Sequence, residues 1–335
     1  MPHIFLDLRP HAPGLEAITA TPGVTIDICE SPEQKAREFP DDRMRNVEIL
    51  FGTHAPLNLD RMPNLRWIQL ASVGFTQLLG LNLGQRGIAV TNARGCLDVP
   101  IAEWNIAMMV NLARDLRGMI RNQEAAIWDN GARFQREIRG MRVGIWGYGG
   151  IGRETARLAN VLGLEIHVMT RRGIQPRIDT YAVPGTGDDN GTLPHRIYQA
   201  GEELYFLRNL DFLIVAMPLS KATEGIIGER ELRALPSTAY VLNPARGPII
   251  QQQALLRALD EGWIAGAALD THYAYPLPPE HPLWRYPNVI LTPHISGSML
   301  SQHFQHRICD VFSENLRRYT HEQTLLNRVD PAELT

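Results

Sequence analysis

Val143-Gly144-Ile145-Trp146-Gly147-Tyr148-Gly149-Gly150-Ile151-Gly152 sets a glycine-rich turn between an apolar strand and a segment of helical periodicity that runs from Ile151 to Leu162. Strand, G-x-G-x-x-G and helix in that order make the pattern of a dinucleotide-binding unit. Gly147 permits the tight turn, Gly149 lets a pyrophosphate approach the backbone, and Gly152 lets helix and strand pack closely. Free N–H groups at a helix start complete an anion site. Gly147, Tyr148, Gly149, Gly150, Ile151 and Gly152 are therefore expected to hold a nicotinamide or flavin cofactor.

Outward from this turn, the second half of the chain repeats short apolar runs at Glu165–Met169, Leu210–Ala216, Ala239–Asn243, Ala265–Leu269 and Val289–Thr292. With Met141–Trp146 they predict an open parallel sheet, its helices supplied by the periodic segments between them. Arg171–Gly201, which carries Pro176, Pro184, Pro194, Gly185, Gly187 and Gly191, reads as a turn-rich excursion. Toward the amino terminus, His3–Leu8, Val24–Ile28, Val47–Phe51, Leu65–Leu70 and Ile88–Asn92 predict a smaller parallel α/β domain. Ile101–Leu116 reads as one long helix leading out of it, and Met299–Tyr319 as a helix that returns to it. The expected fold is α/β with two Rossmann-like domains and parallel sheets. Residues 1–98 and 299–335 form a discontinuous substrate domain into which the cofactor domain, 99–298, is inserted.

A length of 335 residues suits two domains, and 44% apolar with 21% charged residues suits a soluble globular protein. A formal charge of -3 offers no field for nucleic acid or an anionic membrane surface. Cys29, Cys96 and Cys309 are too few and too scattered for a disulfide scaffold or a metal cluster, so no metal is expected. With no leader-like start and no run of about 20 apolar residues, a cytoplasmic protein without membrane partners is expected.

The choice of nucleotide is legible at the next strand end. A carboxylate there usually receives the adenosine ribose hydroxyls, but the strand Glu165-Ile-His-Val-Met-Thr170 ends in threonine and is followed by Arg171 and Arg172. Loss of the acid removes repulsion toward a 2'-phosphate, and either guanidinium can hold one through charge-assisted bonds. NADP(H) is expected to be preferred, with NAD(H) possible.

The chain resembles the D-isomer-specific 2-hydroxyacid dehydrogenases over nearly its whole length. The resemblance rests on Gly147–Gly152, Leu213-Ile-Val-Ala-Met-Pro218-Leu-Ser-Lys-Ala-Thr223, Leu242-Asn243-Pro-Ala-Arg246-Gly247, Gly266-Ala-Ala-Leu-Asp270 and Thr292-Pro293-His294-Ile-Ser-Gly297. It implies a homodimer, with Ile101–Leu116 a candidate interface, and a nicotinamide cofactor held at the cleft between the domains. Arg246 matches the substrate-binding arginine, whose fork can hold a 2-oxo acid by its carboxylate and polarise the carbonyl. His294 matches the catalytic histidine that donates a proton to the carbonyl oxygen as hydride reaches the carbon. Ser72, Val73 and Gly74 stand where the family's substrate loop offers backbone N–H groups, with Phe75 and Leu97 beside the pocket and Asn92 orienting the loop. Pro218, Thr223, Asn243 and Asp270 match positions near the cofactor, whereas His272, His281 and His303 match no family motif.

One departure stands out. Family members place a glutamate five positions after the aspartate, where it pairs with the catalytic histidine; here that position is Tyr275, followed by Pro276. A partner that raises the imidazole pKa from about 6.5 to about 7.5 keeps roughly three quarters of it protonated at pH 7, against roughly one quarter without it. That threefold change is small beside the cost of a misoriented ring. Tyr275 is expected to take a direct site role, either orienting His294 through its hydroxyl or shaping the pocket, with Glu280 a weaker substitute. The function so implied is reduction of a small or medium 2-oxo acid to a D-2-hydroxy acid. The alternatives are an oxidoreductase acting on a related unusual carbonyl or acid, and a catalytically weak or inactive dinucleotide-binding protein.

Overall fold

The runs Ile4–Leu6, Ile49–Phe51 and Phe212–Val215 are apolar without alternation, which is the pattern of strands covered on both faces. In the computed structural model, which describes residues 1–8, 12–29, 35–131, 135–171 and 173–334, all three are buried. The chain divides into two units. The first comprises Met1–Leu97, Ile178–Val183 and Met299–Thr335, and the second Asp98–Arg177 and Pro184–Ser298.

The first unit opens with β1 (His3–Asp7), α1 (Ala12–Thr19), β2 (Thr25–Ile28), α2 (Asp41–Met44), β3 (Ile49–Gly52), β4 (Trp67–Leu70) and β5 (Ala89–Thr91). Its five strands are parallel in the order β2-β1-β3-β4-β5. The second unit begins with α3 (Asp98–Ala113) and α4 (Leu116–Glu124). β6 (Arg142–Trp146), α5 (Gly150–Val161), β7 (Glu165–Thr170), β8 (Arg196–Gln199), α6 (Glu203–Leu207) and β9 (Phe212–Val215) follow. It closes with α7 (Glu229–Ala234), β10 (Tyr240–Asn243), α8 (Gln252–Asp260), β11 (Gly266–Leu269) and β12 (Val289–Leu291). Its seven strands are also parallel, ordered β12-β11-β10-β9-β6-β7-β8, so the order reverses between β6 and β9 beside the glycine-rich turn. Ligands of open α/β sheets bind at such a switch point. α9 (Gln302–Thr320), capped by Ser301, returns to the first unit and stacks Phe312 on Phe51 and Trp67.

Three expectations are corrected. The helix expected over Ile101–Leu116 is two helices: Asp115 sits at φ +48 and its carboxylate accepts from Gly118 N–H, so one helix ends and another is capped within two residues. The excursion at Arg171–Gly201 contains β8, an edge strand with exposed Arg196, Ile197 and Gln199, which shows no apolar alternation. The domain boundary lies at 97/98, and Ile178–Val183, expected in the cofactor domain, belongs to the first unit. There Asn327 N–H donates to the Asp179 carbonyl, Tyr181 N–H donates to the Asn327 side chain, and the Tyr181 carbonyl packs on Gly95 so closely that a methyl group there would lie 2.1 Å from it.

No helix among the described residues is long and apolar enough to cross a membrane, and no group of three metal-ligating side chains occurs among them.

Candidate active site

The glycine-rich turn is shaped by the absence of side chains. Gly147 has φ +103, and a Cβ there would lie 2.7 Å from the Ala216 backbone; one on Gly152 would lie 2.5 Å from the Gly147 carbonyl oxygen. A Cβ on Gly149, by contrast, would meet nothing within 4 Å, so backbone at the α5 start is open to an incoming group. Gly150 lies under the Asp98 carboxylate, which is ion-paired with Arg177. Tyr148 offers only its backbone to a ligand. Its ring is buried and its hydroxyl donates to Asp188 at 2.6 Å; burial, then this acid, pushes the phenol's pKa upward. Arg153, also buried, donates to the carbonyls of Tyr148, Asp188, Asp189 and Gln175, pinning the excursion onto the first turn of α5.

At the end of β7 the Thr170 hydroxyl is buried without a hydrogen-bond partner, and Arg171 beside it is exposed with no ion pair among the described residues. Arg172 lies outside the described residues. An open glycine backbone at a helix start, an unpartnered hydroxyl at the next strand end and a free guanidinium fit a dinucleotide.

The residues at the carboxyl ends of β9, β10 and β11 hold loops. Thr223 donates to the Pro218 carbonyl and accepts from Ser220 N–H, so its hydroxyl closes its own turn. Asn243, 1% exposed, donates to the Arg246 carbonyl and accepts from Ala245 N–H, fixing the loop that presents the exposed Arg246. Asp270 is fully buried and accepts from Thr292 Oγ1, Ile295 N, Ser296 N and Ser296 Oγ. Those four donors bracket His294. The side chains of Asn243 and Asp270, expected around the cofactor, are thus engaged in shaping the turns that carry Arg246 and His294.

His294 itself is accessible and takes φ +57, a left-handed conformation that costs a non-glycine residue about 1–3 kcal/mol and persists only where its neighbours hold it. Partial desolvation of the ring, then the nearby Arg246 charge, lowers its pKa from the ordinary histidine value. Arg246 follows β10 and His294 follows β12, the two strands that flank β11. Tyr275 lies alongside, its ring centroid 5.4 Å from that of His294 and tilted by 46°. Its hydroxyl accepts from the His272 N–H at 3.1 Å and so is held by the main chain of the same loop. Glu280 is exposed, and its charge acts on His281, which caps a short turn by accepting from Leu283 N–H.

Sequence reasoning passed over His272. It is 5% exposed, and its Nε2 lies 2.8 Å from the Thr292 carbonyl, which also accepts the His294 N–H at 3.0 Å. A histidine two positions after a motif aspartate gives no spacing signal; only the fold puts it beside the turn.

Ser72, Val73 and Gly74 lie in the first unit. Ser72 Oγ donates to the Gly74 carbonyl, Gln77 donates to Ser72 Oγ, and Asn92 donates to the Val73 carbonyl, while the N–H groups of Val73 and Gly74 donate to nothing among the described residues. Gln77 was not singled out from sequence, since a lone glutamine after a loop has no pattern.

Comparison with known proteins agrees with this architecture. The family profile "D-isomer specific 2-hydroxyacid dehydrogenase, NAD binding domain" matches residues 106–296. A glyoxylate reductase of Thermofilum pendens is 30% identical over 89% of this chain and 88% of its own length. A D-isomer specific 2-hydroxyacid dehydrogenase family protein from Aeromonas salmonicida superposes with a TM-score of 0.80 at 23% identity, covering 98% of this chain and 99% of that one. An NADPH-dependent glyoxylate/hydroxypyruvate reductase from Sinorhizobium meliloti gives 0.74 at 25% identity, covering 99% and 98%. The family profile and the relatives make the chain an NAD(P)-dependent oxidoreductase. The chain belongs to the D-isomer-specific 2-hydroxyacid dehydrogenase family.

Proposed function

We propose that this enzyme reduces a small or medium 2-oxo acid to the D-2-hydroxy acid and prefers NADPH over NADH. The observation that carries the proposal is that Asn243 and Asp270, at the ends of adjacent strands, anchor the loops that present Arg246 and His294, since an anion-holding fork and a titratable donor are the two groups such a reduction asks of the protein. Arg246 binds the substrate carboxylate and polarises the adjacent carbonyl. His294, protonated, gives its proton to the carbonyl oxygen as that oxygen gains electron density. A bound nicotinamide supplies the hydride, held by the backbone at Gly149–Ile151, with Thr170 and Arg171 toward its adenosine end. Pro218 and Thr223 form a hydrogen-bonded loop at the carboxyl end of β9, and in the first unit the N–H groups of Val73 and Gly74 are open to an anion.

The coenzyme preference rests on the strand end, where Thr170 replaces a carboxylate and Arg171 is unpaired. Names of relatives, glyoxylate reductase and glyoxylate/hydroxypyruvate reductase, set the size of the acid to be tried first. A homodimer belongs to the same reading; Val110, Leu116, Met119 and Ile120 on α3 and α4 are exposed apolar residues, and a solution mass tests it. The decisive experiment is NADPH oxidation in the presence of glyoxylate, hydroxypyruvate, pyruvate and larger branched or aromatic 2-oxo acids, with NADH in parallel. Turnover of at least one acid, faster with NADPH, is the expected result. Nucleotide binding without turnover of any of them removes the proposal.

A further inference from the structure

We propose that His272 is a positioning residue for this reaction: with the Tyr275 hydroxyl that its backbone holds, it fixes the turn carrying His294 in place of a carboxylate set against the histidine ring. The inference rests on the oxidoreductase reading above and adds the means by which this chain orients its proton donor.

Where a glutamate would grip the imidazole directly, this chain has an aromatic ring whose hydroxyl is already bonded to the His272 N–H. Orientation must then be imposed on the backbone. The Thr292 carbonyl is the shared point: it accepts the His294 N–H at 3.0 Å and faces His272 Nε2 at 2.8 Å. A carbonyl only accepts, so Nε2 carries the proton in that bond. The remaining nitrogen, Nδ1, is buried without a partner among the described residues. Burying an unpaired nitrogen is unfavourable, so packing alone does not account for a histidine here, whereas the Nε2–H bond does.

The other flank is held independently, with Asp270 accepting the N–H groups of Ile295 and Ser296. His294 is clamped on both sides at a residue whose φ of +57 would otherwise relax. The main chain at the same residue lies close to the neighbouring loop: a Cβ on Gly247, immediately after Arg246, would collide with the His272 carbonyl. One residue thereby touches the backbone supports of the anion holder, the aromatic neighbour and the proton donor.

The test uses the full-length protein with His272→Phe, which keeps a ring and removes the N–H, and His272→Gln, which restores an N–H donor. Steady-state reduction of glyoxylate and hydroxypyruvate by NADPH is measured beside NADPH binding by fluorescence and thermal melting. The Phe variant should lose about tenfold or more in kcat while KM and NADPH affinity stay within about twofold, and the Gln variant should recover most of the loss. Should the Phe variant fail to fold, His272→Met is read by the same criteria. A kcat for the donor-free variant within about twofold of the parent, an equal loss in nucleotide binding, or a folded Gln variant no better than Phe overturns the proposal. An unmodified protein that binds NADPH and reduces no 2-oxo acid defeats the functional reading instead, so the two failures are distinguishable.

Discussion

The glycine-rich turn and the His294 turn prepare for chemistry by opposite means. At the first, function is made by omission: Gly147 and Gly152 leave no room for a Cβ, and Gly149 leaves the helix start open. At the second, function is made by addition: a strained residue is held by Asp270 on one side and by the Thr292 carbonyl that His272 shares on the other. Omission is written in a local motif, because a missing side chain matters to its own backbone. Addition draws its anchors, Asp270 and His272, from the loop after β11, which meets the turn after β12 only when those two strands have paired.

The sharpest way to break this contrast is to remove the donor itself. His294→Ala should lower kcat by about 10²–10⁴ without changing NADPH affinity, as measured by steady-state kinetics and fluorescence titration. A comparable loss of binding would mean that the His294 turn serves the nucleotide and not the proton.

Two glycines of one motif should then separate. Gly152→Ala forces a methyl to within 2.5 Å of the Gly147 carbonyl oxygen and is expected to destabilise by about 1–3 kcal/mol, read as a lower Tm. Gly149→Ala meets nothing in the protein and should leave Tm unchanged while weakening NADPH binding by about tenfold, ~1.4 kcal/mol. If Gly149→Ala destabilises as much as Gly152→Ala, the open helix start is a packing feature.

The pH profile sharpens the other half. Burial and Arg246 lower the His294 pKa, so the protonated form required for reduction is lost as pH rises through a value below the ordinary 6.5. Reduction should fall along that limb while the reverse oxidation rises. Tyr275→Glu sets an anion beside the ring and should move the limb upward by about one unit. A limb that stays in place would show that residue 275 does not face His294 electrostatically.

The smallest effect is expected at the coenzyme end. Arg171 is exposed, so Arg171→Ser should change the NADPH-to-NADH preference by about two- to fivefold, consistent with an accessible ion pair. No change in the ratio of the two kcat/KM values would remove Arg171 from the 2'-phosphate argument.

Much of the architecture was legible because buried parallel strands must be apolar and a dinucleotide turn must be glycine-rich; Met141–Trp146 and Gly147–Gly152 needed nothing from elsewhere in the chain. The edge strand β8 was not legible, since a strand paired on one side and open to solvent on the other carries no hydrophobic signature. The break at Asp115 was hidden for a similar reason: the apolar spacing continues toward Leu116, and one left-handed residue with a capping carboxylate interrupts it.

The amino-acid order by itself determined two parallel α/β units and a glycine-rich turn at a helix start, and its resemblance to a family singled out Arg246 and His294. Tertiary structure alone decided which polar groups support those two. Asn243 and Asp270 turned their side chains into loop anchors, Tyr275 gave its hydroxyl to a backbone N–H, and His272 came to share a carbonyl with His294. Local motifs fix what a residue can do chemically. A hydrogen bond across separate strands depends on sheet register, and register emerges only from packing the whole unit.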